Sequence, residues 1–180
     1  MYALVVVESM FGNTREVGRA VARGLSAVAD VDVVDVAEAP RQLCPGTDLL
    51  VVGAPTHAFS LSRPSTRADA HRQAGTQEDS PQVETGVREW LAALDTGGAD
   101  VVGAAFDTRV AHPHLPGSAA RAAHRRLKGR GLTTPLPPES FWVDGTTGPL
   151  RHGEVARATA WGTDLGRAAS DPHRRRAVGA

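Results

Sequence analysis

An apolar strand pattern, a short polar loop and the start of a helix pattern follow one another in the first residues of the chain. Residues 3–7 are an unbroken run of Ala, Leu and Val, typical of a parallel strand buried on both faces. The loop of residues 8–14 is polar apart from Met10 and Phe11. A loop that leads into a helix N-terminus offers unpaired N–H groups and partial positive charge, so we expect an anion site here. The side chains that add donors are those of Ser9, Asn13 and Thr14.

Strand and helix patterns then alternate to the end of the chain. The predicted strands lie at about 2–7, 31–36, 48–53 and 101–106, with a last strand at 132–134 and 140–143 interrupted by prolines. The predicted helices lie at about 14–28, from Ser80 to Gly97, at 118–130 and at 154–168. Asn13 with Glu16 resembles a capping box for the first helix. This alternation predicts an α/β fold with a doubly wound parallel sheet, and the more alternating second strand indicates a sheet edge.

One domain over residues 1–169 suits the length of 180 residues. Residues 61–82 carry almost no large apolar side chains and are expected to form a mobile insertion. This insertion is either a tolerated surface loop or a lid or partner-binding flap. A basic tail at 170–180 is expected to be disordered.

Composition narrows the classes of function. The formal net charge of +0 argues against a nucleic-acid binder. Cys44 is the only cysteine, which excludes an intrachain disulfide and favours a reducing compartment. The N-terminus has no basic leader, and no apolar run approaches the roughly 20 residues of a membrane span. We therefore expect a cytoplasmic protein that has no membrane span and binds no nucleic acid.

The loops after strands one, three and four are expected to form the ligand site, because ligands of such sheets bind outside the carboxyl ends of the strands. No Gly-x-Gly-x-x-Gly follows strand one, so the dinucleotide fingerprint is missing. No Ser-His-Asp arrangement is indicated. His112 and His114 flank a proline without a zinc-type spacing, and we expect no metal site.

Two of these loops resemble those of a known family. Ser9-Met10-Phe11-Gly12-Asn13-Thr14 resembles the phosphate loop of flavodoxin-like FMN proteins, and most of all the version in flavodiiron-type flavodoxin domains. Gly53-Ala54-Pro55-Thr56, with Pro64 further on, is similar to the loop that lines the isoalloxazine ring in the same group. The resemblance covers the whole chain. It implies a five-stranded parallel sheet of order 2-1-3-4-5 with helices on both faces, and FMN as cofactor.

The resemblance and the loop positions together give the candidate cofactor-binding residues. The phosphate set is Ser9, Met10, Phe11, Gly12, Asn13 and Thr14. The ring set is Pro55, Thr56, His57, Ala58 and Phe59, with Phe59 as the stacking candidate. The set for the pyrimidine edge is Phe106, Asp107, Thr108 and Arg109. A cation at Arg109 near the N1–C2 edge would favour negative charge on the reduced flavin; a surface salt bridge is its other candidate role.

Three departures separate the chain from the usual pattern. Phe11 stands where flavodoxins carry a Thr, the loop after strand four has no Tyr or Trp, and the acidic surface of flavodoxins is missing. Two functions from different classes remain. One is FMN-dependent electron transfer, as a carrier with a redox partner protein or as a reductase of a small-molecule acceptor. The alternative is a non-redox binding or regulatory module that keeps the fold without FMN.

Overall fold

Five parallel strands form one sheet in the computed structural model, which describes residues 1–57, 60–74, 85–98, 100–112 and 116–171. The strands are β1 Tyr2–Val7, β2 Asp30–Asp35, β3 Thr47–Pro55, β4 Val102–Val110 and β5 Glu139–Val143. The helices within the described residues are α1 Asn13–Leu25, α2 Pro64–Ala74, α3 Val87–Ala93, α4 Ala119–Gly129 and α5 Glu154–Ser170. The spatial order is β2-β1-β3-β4-β5, which confirms the expected topology and places β2 at an edge.

Two apolar layers cover the sheet. Successive strand residues point to opposite faces, so the unbroken apolar run of β1 feeds both layers. Leu4 and Val6 belong to the layer under α3 and α4, whereas Val5 and Val7 belong to the layer under α1 and α5. All four side chains are buried. No helix in the described part of the chain is long and apolar enough to cross a membrane.

Helices α1 and α5 pack so closely that their backbones are in contact where they cross. A Cβ on Gly24 of α1 would collide with the carbonyl oxygen of Thr159, and it would lie 2.8 Å from the Thr163 nitrogen. A Cβ on Gly162 of α5 would collide with the carbonyl oxygen of Val21. Small residues at this crossing let the helices approach closely, and the position of α1 therefore depends on α5.

The start and end of α1 differ from the expectation. The N-cap is Gly12, with a left-handed φ of 88°, and no side chain caps the helix. The expected capping box is therefore wrong, because the Asn13 amide donates instead to the Thr147 carbonyl. The helix ends at Leu25, and Val28, which was expected on its inner face, is 45% exposed.

Strands four and five also differ from their predicted bounds. The apolar run ends at Phe106, but β4 continues to Val110 because β5 pairs with it as far as Val110 and Val143. Asp107, Thr108 and Arg109 therefore lie in a strand, not in its exit loop. The last strand begins only at Glu139, and Thr133 forms an isolated bridge to Val102. The intervening prolines lack the N–H groups that a ladder needs.

The segment expected to be mobile is partly anchored. Residues 64–74 form α2, and the side chains of Leu61, Ser62 and Arg67 are buried in the described half of the segment. Helix α3 begins at Val87 and ends at Ala93, so it is shorter than predicted. The predicted start at Ser80-Pro81 and the inner-face Val83 lie outside the described residues, as do tail residues 172–180.

Helices α4 and α5 match their predictions closely. Ser118 caps α4 by accepting a hydrogen bond from the Arg121 N–H at 3.1 Å. The expected inner face of α4, Ala120, Ala123 and Leu127, is buried. Helix α5 starts at the predicted Glu154 and runs two residues past the predicted end.

Candidate functional site

A cleft lies at the carboxyl ends of β1, β3 and β4, where the sequence predicted a ligand site. Most of the candidate residues line it: Ser9, Met10, Phe11, Asn13, Thr14, Pro55, Thr56, His57, Thr108 and Arg109. The structure adds Val110, Val143 and Thr146, which the sequence did not single out. Ala58 and Phe59 lie outside the described residues, so the stacking role of Phe59 stays a prediction.

The loop between β1 and α1 presents a continuous series of backbone donors. Within the described part of the chain, none of the N–H groups of residues 9–14 donates a hydrogen bond. The chain turns at Gly12, and the Glu16 N–H donates to the Gly12 carbonyl at 2.9 Å as the first helical bond. The Ser9 hydroxyl accepts from the Arg15 N–H at 3.1 Å, which fixes its orientation. Free donors at a helix N-terminus attract an anion.

The loop after β5 closes the same end of the cleft. Asn13 Nδ2 donates to the Thr147 carbonyl at 3.0 Å. Gly148 packs against the Asn13 amide so closely that a Cβ there would lie 2.5 Å from Asn13 Oδ1. The only sequence signal for this contact is the run of turn-forming residues at 144–149, which does not reveal its partner. Asn13 is thereby held in place by a segment far along the chain.

We call the ends of β1, β3 and β4, with the loops that follow them, the first, second and third sides of the cleft. The buried carboxylate of Asp107 joins the second and third sides. Asp107 is 0% exposed, and its Oδ2 accepts from Thr56 Oγ1 at 2.8 Å, Ser118 Oγ at 2.7 Å and the Ala120 N–H at 3.0 Å. Its Oδ1 has no hydrogen-bond partner among the described residues. Asp107 does not line the cleft. It ties the ends of β3 and β4 to the N-terminus of α4.

Phe106 lies in the core beneath the cleft. Its ring fills the space where Gly53 has no side chain. The ring also meets Phe141 and Trp161 edge-on, at centroid distances of 5.9 and 6.2 Å. The phenyl group is 0% exposed, so its structural contribution is to the layer under α1 and α5.

Two threonines connect the first and third sides of the cleft. Thr14 Oγ1 and Thr108 Oγ1 are 2.7 Å apart, and both residues are almost wholly buried. The backbones of the second and third sides are joined as well, since the Thr56 N–H donates to the Thr108 carbonyl at 2.9 Å. These bonds fix the three sides relative to one another.

His57 and Arg109 set the charge of the cleft. Burial lowers the pKa of His57 below its ordinary value, and the positive charge of Arg67 lowers it further, so the imidazole is neutral at neutral pH. The backbone of His57 exchanges hydrogen bonds of 3.0 Å with Ser60. The Arg109 guanidinium stacks 5.4 Å from the centre of the Trp142 ring and supplies positive charge at the third side.

A network of three charged residues and one serine lies directly behind the loop of residues 9–14, and all of it is buried except the partly exposed Glu89. We call Glu8, Ser62, Arg67 and Glu89 the Glu8 cluster. Glu8 accepts from the Ser62 hydroxyl and from the Val87 N–H, the latter at 2.8 Å. Arg67 donates to Ser62 Oγ at 2.9 Å and pairs with Glu89 at 3.0 Å. The cluster joins β1 to α2 and α3.

Burial raises the pKa of the Glu8 carboxyl, although its hydrogen bonds and the nearby Arg67 act in the opposite direction. Glu8 and Arg67 are 3% and 0% exposed. Gly86 is required beside them, because a Cβ there would lie 2.8 Å from Glu8 Oε2 and would also collide with Arg67. No sequence pattern indicated this network, since its members are distant along the chain.

A metal centre was not expected, and the described residues contain no group of three or more His, Cys, Asp or Glu side chains that would hold a metal ion. His112 is exposed, and His114 lies outside the described residues.

No family model and no curated protein matches the chain. Solved structures do resemble it. A flavodoxin from the domain Archaea is 17% identical, covers 95% of this chain and 100% of its own, and superposes with a TM-score of 0.64. Oxidised Flavodoxin 1 from Bacillus cereus is 16% identical over 93% of this chain and 98% of its own, with a TM-score of 0.65. A flavone reductase is 14% identical over 95% of this chain and 64% of its own, with a TM-score of 0.55. The protein therefore has the flavodoxin-like fold.

Proposed function

We propose that this protein binds FMN noncovalently in the cleft and transfers electrons, either as a carrier with a redox partner protein or as a reductase of a small-molecule acceptor. The observation that carries the proposal is the series of uncommitted N–H groups at residues 9–14, which opens into a cleft formed by three strand ends. The flavodoxins and the flavone reductase among the similar structures support the carrier and the reductase forms respectively.

The phosphate end of FMN fits the first loop. A phosphate dianion needs several oriented donors, which the N–H groups of residues 9–14 and the positive end of the α1 dipole supply. Gly12 leaves room for close approach, because nothing lies within 4 Å of the position its Cβ would occupy. The Ser9 hydroxyl adds a side-chain donor. We propose that this loop is of the flavodiiron type, with Phe11 at the position of the usual threonine.

The ring end fits the other two sides of the cleft. Pro55 and Met10 offer apolar contact, and neutral His57 offers a hydrogen-bonding group without adding a charge. Bound FMN supplies one-electron and two-electron redox chemistry. In this arrangement Arg109 stabilises negative charge at the pyrimidine edge, and Asp107 acts from behind by positioning Thr56. We propose the cytoplasm as the compartment, consistent with the single cysteine.

The second candidate is a binding or regulatory module that keeps the fold without FMN. The observation in its favour is that two expected ring contacts are withdrawn from the cleft: Phe106 is buried in the core, and the Asp107 carboxylate is bonded to α4. The Thr56 hydroxyl is likewise committed to Asp107. Fewer side chains are thus offered to a ring than the family pattern implied.

Titration of the purified apoprotein with FMN, followed by quenching of flavin fluorescence, tests the proposal. We expect saturable binding of one FMN per chain in the micromolar range or tighter. No binding at micromolar FMN would contradict the proposal and favour the second candidate. For a chain that binds, oxidation of a nicotinamide cofactor with a quinone as acceptor identifies the reductase form. A carrier transfers electrons only when a protein partner is present.

A further inference from the structure

One helix of the protein carries basic side chains and no acidic ones. Between residues 116 and 131 every charged residue is basic: Arg121, Arg125, Arg126, Lys128 and Arg130. The inner face of α4 is buried through its alanines and Leu127. Arg121, Arg125 and Lys128 are exposed and lie together on the outer face, because they are three or four residues apart.

Arg126 and Lys128 lie in the last turn of α4, where the helix dipole favours cations, but the placement of Arg121 opposes the electrostatics of an isolated helix. The positive end of a helix dipole disfavours cations in the first turn and favours acidic residues there. Helix α4 has no acidic residue in its first turn and has Arg121 instead. Local helix stability therefore does not account for Arg121, which indicates a role outside the helix.

Neighbouring segments extend the positive surface. Arg88 of α3 lies close enough to Arg126 and Arg63 that their charges lower its pKa, after the larger effect of burial. We define the basic face as Arg63, Arg88, Arg121, Arg125, Arg126 and Lys128. Among the described residues, none of these side chains forms an ion pair with a carboxylate.

A short run of acidic residues lies at the other side of the sheet. The charged residues of positions 30–48 are all acidic except Arg41. They include Asp30 and Asp32 of the edge strand β2, which are exposed. Helix α4 instead connects β4 to β5 at the opposite end of the sheet. The basic face and these exposed acidic residues of β2 therefore lie at different ends of the sheet, and a local patch of one charge sign orients a charged partner as it approaches.

The basic face begins at the rim of the cleft. The first N–H of α4, that of Ala119, donates to Thr56 Oγ1 at 2.9 Å, and Thr56 lines the cleft. Arg121 follows two residues later. A partner that covers the basic face therefore lies beside the proposed cofactor site.

We propose that the basic face docks an acidic surface patch of a protein partner. A protein fits better than a nucleic acid, because the molecule has no net positive charge to attract an extended polyanion. The described part of the basic face also carries no exposed aromatic side chain on which bases would stack. The identification of this partner as an electron donor or acceptor rests on the proposed function, whereas docking itself requires no FMN.

Amide NMR with a short oligoglutamate peptide as the probe tests the proposal on the full-length chain. We expect peptide-induced shifts at residue 63 and along 119–128, and weaker binding as salt is raised. The double variant Arg121→Glu with Arg125→Glu should raise the Kd of the peptide about tenfold or more, because two attractive charges become repulsive. The neutral pair Arg121→Gln with Arg125→Gln should give a smaller loss and covers the case in which the charge-reversed pair does not fold.

The matched control is Arg19→Glu with Arg23→Glu, an exposed pair with the same spacing on α1. Equal losses in both pairs, or shifts that do not map to α4, would overturn the proposal. If a single-stranded oligonucleotide bound more tightly than the peptide through the same residues, the basic face would be a nucleic-acid interface and the proposal would be overturned. Self-association through α4 at low salt would mean that the partner is a second copy of this chain, and it would also overturn the proposal. We expect the α4 variants to bind FMN with unchanged affinity. A failure of peptide docking is thereby distinguished from a failure of the proposed FMN binding.

Discussion

Gly12 is the residue on which the shape of the phosphate loop most depends. Its φ of 88° lies in the left-handed region, where a Cβ costs roughly 1–2 kcal/mol. Gly12→Ala should relieve that strain by reshaping the loop and turning its N–H groups, and we expect FMN affinity to fall about tenfold, or roughly 1.4 kcal/mol. Fluorescence titration measures the change.

Gly46→Ala is the matched control for Gly12. Gly46 has a φ of 91°, with open space where a Cβ would lie, and it is remote from the cleft. Both substitutions should lower the free energy of unfolding by a similar amount, about 1 kcal/mol. Only Gly12→Ala should weaken FMN binding; equal affinities in the two variants would argue that the N–H groups of this loop do not hold the phosphate.

Arg109 is the residue through which the protein would tune the flavin. Arg109 lines the cleft, and its guanidinium lies over the Trp142 ring. Arg109→Ala should lower the midpoint potential of bound FMN, on the order of tens of millivolts, because the reduced flavin loses a stabilising cation. Arg109→Lys keeps the charge and should shift the potential less. If a redox titration showed the same midpoint potential for Arg109→Ala as for the wild type, Arg109 would not lie at the pyrimidine edge.

The crossing of α1 and α5 controls where the phosphate loop lies. Gly24→Ala places a methyl group against the backbone of α5, and we expect the free energy of unfolding to drop by about 1–3 kcal/mol or more. Gly129→Ala in α4 is the matched control, because nothing lies within 4 Å of its Cβ position. That change should be neutral or stabilise by about 0.5–1 kcal/mol. Urea denaturation measures both; equal effects would mean that the helices do not touch at Gly24.

The Glu8 cluster anchors α2 and α3 to β1, and its stability should depend on pH. The pKa of Glu8 is raised in the folded state. As pH rises through the ordinary value of 4.5, the Glu8 carboxyl therefore loses its proton in the unfolded chain before it does so in the folded one. The wild type should therefore lose stability relative to the E8Q variant as pH increases above that value. Denaturation at several pH values measures the difference, with the exposed Glu16→Gln as background. If the free energy of unfolding of the wild type instead rose relative to that of E8Q as pH increased, Arg67 would be keeping Glu8 ionised.

The alternation of strand and helix patterns was enough to predict a doubly wound sheet with a cleft at its strand ends, whereas the order 2-1-3-4-5 came from the resemblance of two loops to a known family. Short apolar runs and helical periodicity are local patterns, and the ligand position follows from strand ends in any doubly wound sheet. The Glu8 cluster was not predictable, because the buried Arg67 is paired with Ser62 and with Glu89 of α3, and Ser62 in turn bonds to Glu8 at the end of β1. The length of β4 was missed for the same reason: pairing with β5, not the apolar run, decides where the strand ends.

In the proposed complex, the phosphate of FMN is held by the N–H groups of residues 9–14. The most direct test compares the Kd of FMN with that of riboflavin, which has the same ring and no phosphate, on the same apoprotein. We predict that FMN binds at least about a hundredfold more tightly, a difference of roughly 2.7 kcal/mol. Equal affinity for the two flavins, or no binding of either, would contradict the account.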